Sequence, residues 1–216
     1  MKRFLSEADR KAIEACVREA ESRTRGEIVV MVAPASHHYP VAGLLGATAF
    51  ALPVAVALTP LLGGLFWAGP ANLWAFLAAM IPLFVAFHEV VKRVHILKRC
   101  FVHAKEMEDE VREAAHHQFY RKGLYRTAEE TGVLIYISVF ERRVWVLGDR
   151  GINSMIPEAQ WQTVAEVIVQ AIREGRPAEG ICRAVAEVGR MLREKFPVGL
   201  DNPDELRNLI IEDKSP

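Results

Sequence analysis

The sequence has no charged residue over a long internal stretch. No Asp, Glu, Lys or Arg occurs between Ile28 and His88, although 25% of the 216 residues are charged. Charged side chains normally lie on the water-exposed surface of a protein, so we do not expect this stretch to face water. The whole chain has 27 basic and 27 acidic residues. This balance excludes the strongly basic surface that is typical of nucleic-acid-binding proteins.

Cysteine is also scarce. Cys16, Cys100 and Cys182 are far apart and odd in number, which argues against a disulfide framework and against a zinc site with closely spaced ligands. We therefore expect three small packing residues in a protein of a reducing compartment. The charged N-terminal segment has no apolar stretch that could serve as the core of a signal peptide, so we do not expect export by cleavage of the front end.

Familiar catalytic motifs are missing as well. The sequence has no glycine-rich phosphate loop followed by Lys, no His-Glu-x-x-His, no Gly-x-Ser-x-Gly and no paired-aspartate phosphotransfer motif. Each of these motifs places reactive groups at a fixed spacing. Their absence argues against the common hydrolases and nucleotide-binding enzymes.

The uncharged stretch instead predicts a membrane hairpin over residues 39–92. Val41 to Leu62 would span about 33 Å as a helix at ~1.5 Å per residue, which covers a hydrocarbon core of about 30 Å. Leu73 to Val91 supplies a second apolar segment, and Trp67 and Trp74 bracket the short connection. Tryptophan rings favour the membrane interface, so we expect both to lie there.

Basic residues flank the hairpin on both sides, whereas its connection is uncharged. Those after it include Lys92 and Arg93 and form a basic collar that suits anionic lipid headgroups. By the positive-inside rule, we expect a two-pass protein of the inner (cytoplasmic) membrane with both termini in the cytoplasm. The pair Glu89 and Arg93, at i and i+4, predicts an ion pair rather than a proton relay.

Small residues recur along each predicted span. Ala47, Ala51 and Ala55 lie four residues apart, and such stripes allow two helices to approach closely. The simplest use is packing of the two helices against each other. Recognition of another membrane protein and self-association remain open, because small residues serve these purposes equally well.

The flanking segments, 1–36 and 98–197, predict one discontinuous α/β domain that the hairpin interrupts. The strands are Glu27 to Ala33, Val133 to Phe140 and Arg143 to Leu147, with a tight turn at Glu141 and Arg142. Helical periodicity precedes the first strand, leads up to Lys122, and covers Pro157 to Arg173 and Pro177 to Lys195. This order predicts a small layered domain with one sheet flanked by helices. The tail, 198–216, either docks on a partner or folds back.

Three short motifs resemble those of the TPM-domain family. They are Thr24-Arg25-Gly26-Glu27-Ile28, the segment from Thr131 to Ser138, and Gly148-Asp149-Arg150-Gly151-Ile152. The resemblance implies a small α/β domain found in membrane-anchored bacterial proteins and thylakoid-lumen proteins. It also implies functions described for family members, which are weak acid phosphatase activity, calcium binding, and assembly or repair of membrane complexes.

One departure from the family weakens its metal site. Many members have Asn-Asp-Gly ahead of the second strand, where this chain has Glu130-Thr131-Gly132. The acidic residue of that position is therefore missing.

The best candidate site is the loop from Gly148 to Gly151, because ligand sites in α/β sheets gather at strand ends. Asp149 suits a hard cation and Arg150 suits a phosphate, while Gly132, Gly148 and Gly151 shape the loops. Glu129 and Glu130 precede the neighbouring strand, but calcium takes around six oxygen ligands and only three are found. In the structural alternative, Asp149 caps or turns the loop, Arg150 is solvated and Gly151 has a positive φ.

Two functions follow from these observations. We expect a membrane-anchored cytoplasmic TPM-like module that takes part in protein binding or in the assembly and maintenance of a membrane complex. The alternative is a weak metal-dependent phosphomonoester hydrolase, similar to an acid phosphatase. The expected partners are the lipid bilayer and another membrane protein or complex, with homo-oligomers open and nucleic acid excluded. No cofactor is established, and calcium is the candidate.

Overall fold

A computed structural model describes residues 4–65, 73–127, 130–198 and 208–212. The elements are α1 (Glu7–Glu21), β1 (Glu27–Ala33), α2 (Pro40–Leu65), α3 (Leu73–Arg93), α4 (His95–Cys100), α5 (Ala104–Arg121), a 3-10 turn (Leu124–Arg126), β2 (Gly132–Ser138), β3 (Arg143–Gly148), α6 (Arg150–Asn153), α7 (Glu158–Arg173), α8 (Pro177–Lys195) and β4 (Leu209–Ile211). The chain divides into two compact units. Residues 1–37 and 108–216 form an α/β unit, and residues 38–107 form a helical unit.

The four strands form one sheet in the order β3-β2-β1-β4. β1 runs parallel to β2 and to β4, with Glu27 opposite Gly132, whereas β2 and β3 are antiparallel. Every residue of β1 and β2 is buried, as expected for apolar strands that helices cover on both faces. The predicted α/β fold with one sheet flanked by helices is therefore confirmed.

The two faces of the sheet are covered unequally. Side chains of α1, α7 and α8 pack on one face, where α8 contacts both of the other helices. Gly180 permits this contact, because a Cβ atom there would lie 2.2 Å from the Cβ of Ala171 in α7. On the opposite face α5 packs against the sheet through Val111, Ala115 and Phe119, and Leu124 of the 3-10 turn joins the same cluster.

Two cysteines differ from the sequence-based expectation. Cys16 in α1 and Cys182 in α8 form a disulfide, with their Cα atoms 5.6 Å apart. The expectation of three free packing cysteines is therefore wrong for this pair. It failed because the contact depends on the packing of α1 against α8, which the spacing in the sequence does not show. Cys100 is free and exposed.

The helical unit contains α2 and α3, which pack against each other. Both helices are long and apolar enough to cross a membrane, at mean hydropathies of 2.1 and 1.8. Ala47, Ala51 and Ala55 are fully buried, as expected of a small-residue stripe in a helix that packs against a neighbour. Outside the contact, large aliphatic side chains are exposed, among them Leu44, Val56, Ile81 and Val85.

The ends of these helices carry the predicted interface residues. Trp74, in the first turn of α3, is 77% exposed, while Trp67 lies outside the described residues. Lys92 and Arg93 are exposed in the last turn of α3. A guanidinium nitrogen of Arg93 lies 3.5 Å from a carboxylate oxygen of Glu89, so the expected ion pair at i and i+4 is present.

Candidate functional site

Asp149 follows the last residue of β3 and caps a short helix. Its Oδ1 accepts a hydrogen bond of 2.7 Å from the Arg150 backbone N–H, and its own N–H donates to the Gly132 carbonyl over 2.8 Å. The Gly148–Gly151 segment is thus not an open loop, because Arg150 and Gly151 already belong to α6. The structural alternative, in which Asp149 acts as a cap, describes this geometry.

The second carboxylate oxygen of Asp149 has a different environment. Oδ2 is buried and has no hydrogen-bond partner in the described part of the chain. Burial raises the pKa of the Asp149 carboxyl above its usual value, the bond from the Arg150 N–H opposes this, and the nearby charge of Glu130 raises the pKa further. The structure therefore brings Asp149 and Glu130 within electrostatic range of each other.

The other predicted site residues have separate roles. Gly132 is required by close packing, because a Cβ atom there would lie 2.6 Å from the backbone oxygen of Leu124. Gly151 is helical and is not among the glycines with positive φ, so that expectation is wrong. The backbone at Gly151 is helical instead, because Asp149 caps the first turn of α6. The Arg150 side chain is exposed, and Glu129 lies outside the described residues.

Metal ligands do not cluster in the described ranges. No group of three or more His, Cys, Asp or Glu side chains there is placed to hold an ion. Two surface hollows of about 310 and 340 Å³ lie along α8. Neither of them includes Asp149 or Glu130. Neither of these two hollows could therefore hold a substrate next to Asp149 and Glu130.

A second polar cluster was missed by the sequence reasoning. Glu141, expected in a tight turn with Arg142, is fully buried near the carboxyl ends of β1 and β2. One of its carboxylate oxygens accepts a 2.9 Å hydrogen bond from the Ser36 N–H, and the other accepts from the Ser138 hydroxyl. The predicted tight turn is a longer connection, because β2 ends at Ser138 and Phe140 donates its N–H to the Pro34 carbonyl.

Tyr136 adds a phenol to this cluster. Its hydroxyl lies 3.3 Å from the Ser36 hydroxyl, and burial raises the pKa of Tyr136 to about 12. Since Ser138, Tyr136 and Glu141 are almost completely buried, a substrate does not reach them. The cluster is structural, and it fixes the segment through which the chain leaves β1. No local sequence pattern predicts this cluster, because Ser36 and Glu141 are distant in sequence.

Comparisons with known proteins support the fold and the family. A family model described as the TPM domain matches residues 89–191, just under half of the chain. The matched range contains α5, β2, β3, α6, α7 and most of α8, whereas the motif at Thr24 to Ile28 precedes it. A search of curated proteins finds no match.

One solved structure resembles this chain over nearly its whole length. It is the NMR structure of the BA42 protein from the psychrophilic bacterium Bizionia argentinensis, with a TM-score of 0.60, 20% sequence identity and coverage of 98% of each chain. At this identity the likeness concerns the fold alone. The match to the family model confirms the resemblance drawn from the sequence motifs, and residues 89–191 are therefore similar to a TPM domain.

Proposed function

We propose that this chain is a membrane-anchored TPM module whose α/β unit binds another protein, such as a subunit of a membrane complex. The observation that carries the anchoring is the exposure of apolar side chains on α2 and α3. In the most apolar part of each helix, only 33% of the residues of α2 and 11% of those of α3 are buried. The core helices of a soluble protein are mostly buried. Aliphatic surface of this extent is stable in a bilayer and costly in water.

Exposed aromatic side chains at the end of α5 support protein binding. Tyr120 and Tyr125 are 63% and 42% exposed, and their ring centroids lie 5.7 Å apart. The Arg126 guanidinium carbon lies 5.4 Å from the Tyr125 ring centroid. Tyrosine and arginine are enriched among the residues that dominate protein interfaces. We call these three residues the tyrosine patch.

The tyrosine patch can be tested by photo-crosslinking in native membranes. We expect a photoreactive residue at position 120 to give a discrete crosslinked product. The same residue at Met155, which is 53% exposed on the segment between α6 and α7, serves as the matched control and should give none. Equal products from both positions, or none from position 120, would contradict a specific interface at the patch.

The side of the membrane is a separate question on which two features disagree. The basic flanks support a cytoplasmic α/β unit, whereas disulfides such as Cys16–Cys182 persist mainly in oxidising compartments. We favour the cytoplasm, because the flanking charge acts during insertion itself. A reporter fused after Pro216 should be active only in its cytoplasmic form, and a periplasmic signal would reverse this orientation. Alkylation of cysteines in intact cells would show whether the disulfide forms there.

Metal-assisted hydrolysis of a phosphomonoester is the second candidate. It depends on Asp149 Oδ2, a buried oxygen without a hydrogen-bond partner among the described residues, and on the neighbouring Glu130. Arg150, exposed at the start of α6, would hold the phosphate, and calcium or another divalent ion would add positive charge at the carboxylates. Purified protein should then hydrolyse a generic phosphomonoester with a divalent ion, and Asp149→Asn should abolish this activity while the thermal transition remains. Absence of activity with every divalent ion tested would leave protein binding as the function.

A further inference from the structure

The tail adds the fourth strand to the sheet through backbone hydrogen bonds. The N–H of Val30 donates to the Asn208 carbonyl, and the N–H of Glu212 donates to the Val32 carbonyl, each over 3.0 Å. β4 pairs with only three residues of the seven-residue β1. Backbone bonds at a strand edge are available to any extended segment, whatever its sequence. The edge of β1 under β4 is therefore a general acceptor of extended chains.

Side chains of β4 add a preference for apolar residues. Leu209 and Ile211 pack against the core under α1, α7 and α8, while Ile210 packs against the core under α5. This alternation follows from the period of two along a strand. All three side chains are only partly buried, whereas β1 is buried along its whole length. The tail strand is thus less completely buried than the strand with which it pairs.

Polar contacts hold both ends of the tail strand. The Asn208 amide donates to one carboxylate oxygen of Glu21, whose other oxygen accepts a 2.9 Å hydrogen bond from the Ile28 N–H. At the other end, Glu212 accepts from the Gln118 amide over 3.1 Å and from Arg121 over 3.0 Å. The edge therefore selects an amide side chain, three apolar residues and a carboxylate, in that order.

We propose that this β1 edge is the binding site for an extended segment of a partner protein, and that β4 occupies it as an intramolecular competitor. The partner segment has the chemistry of Asn208 to Glu212 and enters parallel to β1, a mode known as β-augmentation. This inference rests on the proposed protein-binding function and names the site and the partner chemistry. When β4 leaves, the backbone N–H of Val30 and the carboxylate of Glu21 lose partners that an incoming segment restores.

The test uses the full chain in detergent and a labelled peptide, Asn-Leu-Ile-Ile-Glu-Asp-Lys, with the sequence of residues 208–214. Its affinity is measured by fluorescence anisotropy for the wild type and for the double variant Leu209→Asp, Ile211→Asp, which unseats the tail. The peptide can bind only those molecules in which β4 has left the edge of β1. Its apparent affinity is therefore the intrinsic affinity multiplied by the fraction of molecules whose site is free. We therefore expect binding to the double variant about tenfold tighter, or more, than to the wild type.

Two controls connect the binding to the edge of β1. A peptide with Lys in place of its Glu should bind at least about tenfold more weakly, because it meets Arg121 with a like charge. Adding Arg121→Ala to the double variant should weaken binding of the original peptide and strengthen binding of the Lys peptide. If the double variant loses its cooperative thermal transition, the milder Glu212→Lys variant, which releases only one end of the tail, replaces it.

Equal affinity for the wild type and the tail variant, or no binding to a folded tail variant, would overturn the proposal. Its failure is distinguishable from that of the proposed function. Crosslinking at Tyr120 without peptide binding would keep a protein-binding module and remove the strand-acceptor site. Peptide binding without crosslinking at Tyr120 would move the interface from the tyrosine patch to the β1 edge.

Discussion

Helices α8 and α3 have similar lengths but opposite surfaces. In α8 the apolar residues Ile181, Val185 and Val188 lie on one buried side, and the charged residues face water. In α3 the apolar residues surround the helix, and Ile81 and Val85 are about 60% exposed. The first pattern is that of a helix on a water-soluble core. The second pattern is the one expected of a helix with apolar surroundings, such as the proposed membrane anchor would have.

The largest expected effect comes from truncating the same residue type in each unit. Leu134 is completely buried in β2, whereas Leu44 is 49% exposed on α2. Leu134→Ala should lower the free energy of unfolding by about 2–5 kcal/mol, because it leaves a cavity. Leu44→Ala should change it by less than about 0.5 kcal/mol. Denaturant titration of the detergent-solubilised chain measures both, and similar costs would contradict the contrast between the units.

Buried and exposed glutamates give the second comparison. Glu141→Ala leaves the Ser36 N–H and the Ser138 hydroxyl without this acceptor, which should cost about 1–3 kcal/mol of stability. Glu89→Ala removes an exposed ion pair with Arg93 and should cost no more than about 0.5 kcal/mol. Both effects are measured as changes in the midpoint of thermal unfolding. An unchanged midpoint for Glu141→Ala would show that the carboxylate does not stabilise the exit from β1.

Glycines test how tightly each unit is packed. Gly180→Ala places a methyl group against Ala171 between α7 and α8, and overpacking of this kind costs about 1–3 kcal/mol. At Gly64 in α2, no described atom outside the helix's own backbone lies within 4 Å of the position that a Cβ would take. Gly64→Ala should therefore stay within about 1 kcal/mol of the wild type. Circular dichroism during heating distinguishes the two variants.

The smallest expected effect concerns Asp149 and depends on pH. Burial raises the pKa of the Asp149 carboxyl above its ordinary value of 3.8, so the native state holds this proton more tightly than the unfolded state. The ionised form consequently destabilises the native state, and stability falls as the pH rises from about 3.8 through the native pKa. Asp149→Asn keeps the acceptor for the Arg150 N–H and removes the charge.

The midpoint of unfolding of Asp149→Asn should therefore exceed that of the wild type at neutral pH. The difference should disappear below about pH 4, where the aspartate is protonated in both states. Asn153→Ala, which removes a side chain that donates to the Gly148 carbonyl in the same turn, is a control without charge. A constant difference at every pH would show that the charge of Asp149 is not its cause.

Local patterns predicted the elements that depend on neighbours in sequence. β1 extends from Glu27 to Ala33 and α8 from Pro177 to Lys195, as the apolar run and the helical period indicated. β4, the disulfide and the buried Glu141 were not predicted. Each depends on a partner far away in the chain, respectively β1, α1 packed on α8, and Ser36. A single sequence does not contain this information in its periodicity.

The candidate site was predicted in part for the same reason. Asp149 and Glu130 lie within electrostatic range because β2 and β3 pair as neighbours in sequence. The cap that Asp149 forms with the Arg150 N–H was considered beforehand as the structural alternative. The loss of the open loop was not foreseen, since four residues from Arg150 to Asn153 are too few to show a helical period.

The position of the helical unit in the chain has a consequence for biosynthesis. β1 and β2 are adjacent and parallel in the sheet, yet all of residues 38–107 are translated between them. A newly made β1 therefore leaves the ribosome without its neighbour, as an apolar strand prone to pairing with other chains. In the proposed topology, insertion of α2 and α3 as a hairpin would return the chain to the side of the membrane on which β1 lies. If the proposed anchoring is correct, β1 and β2 pair only after the helical unit between them has been made and inserted.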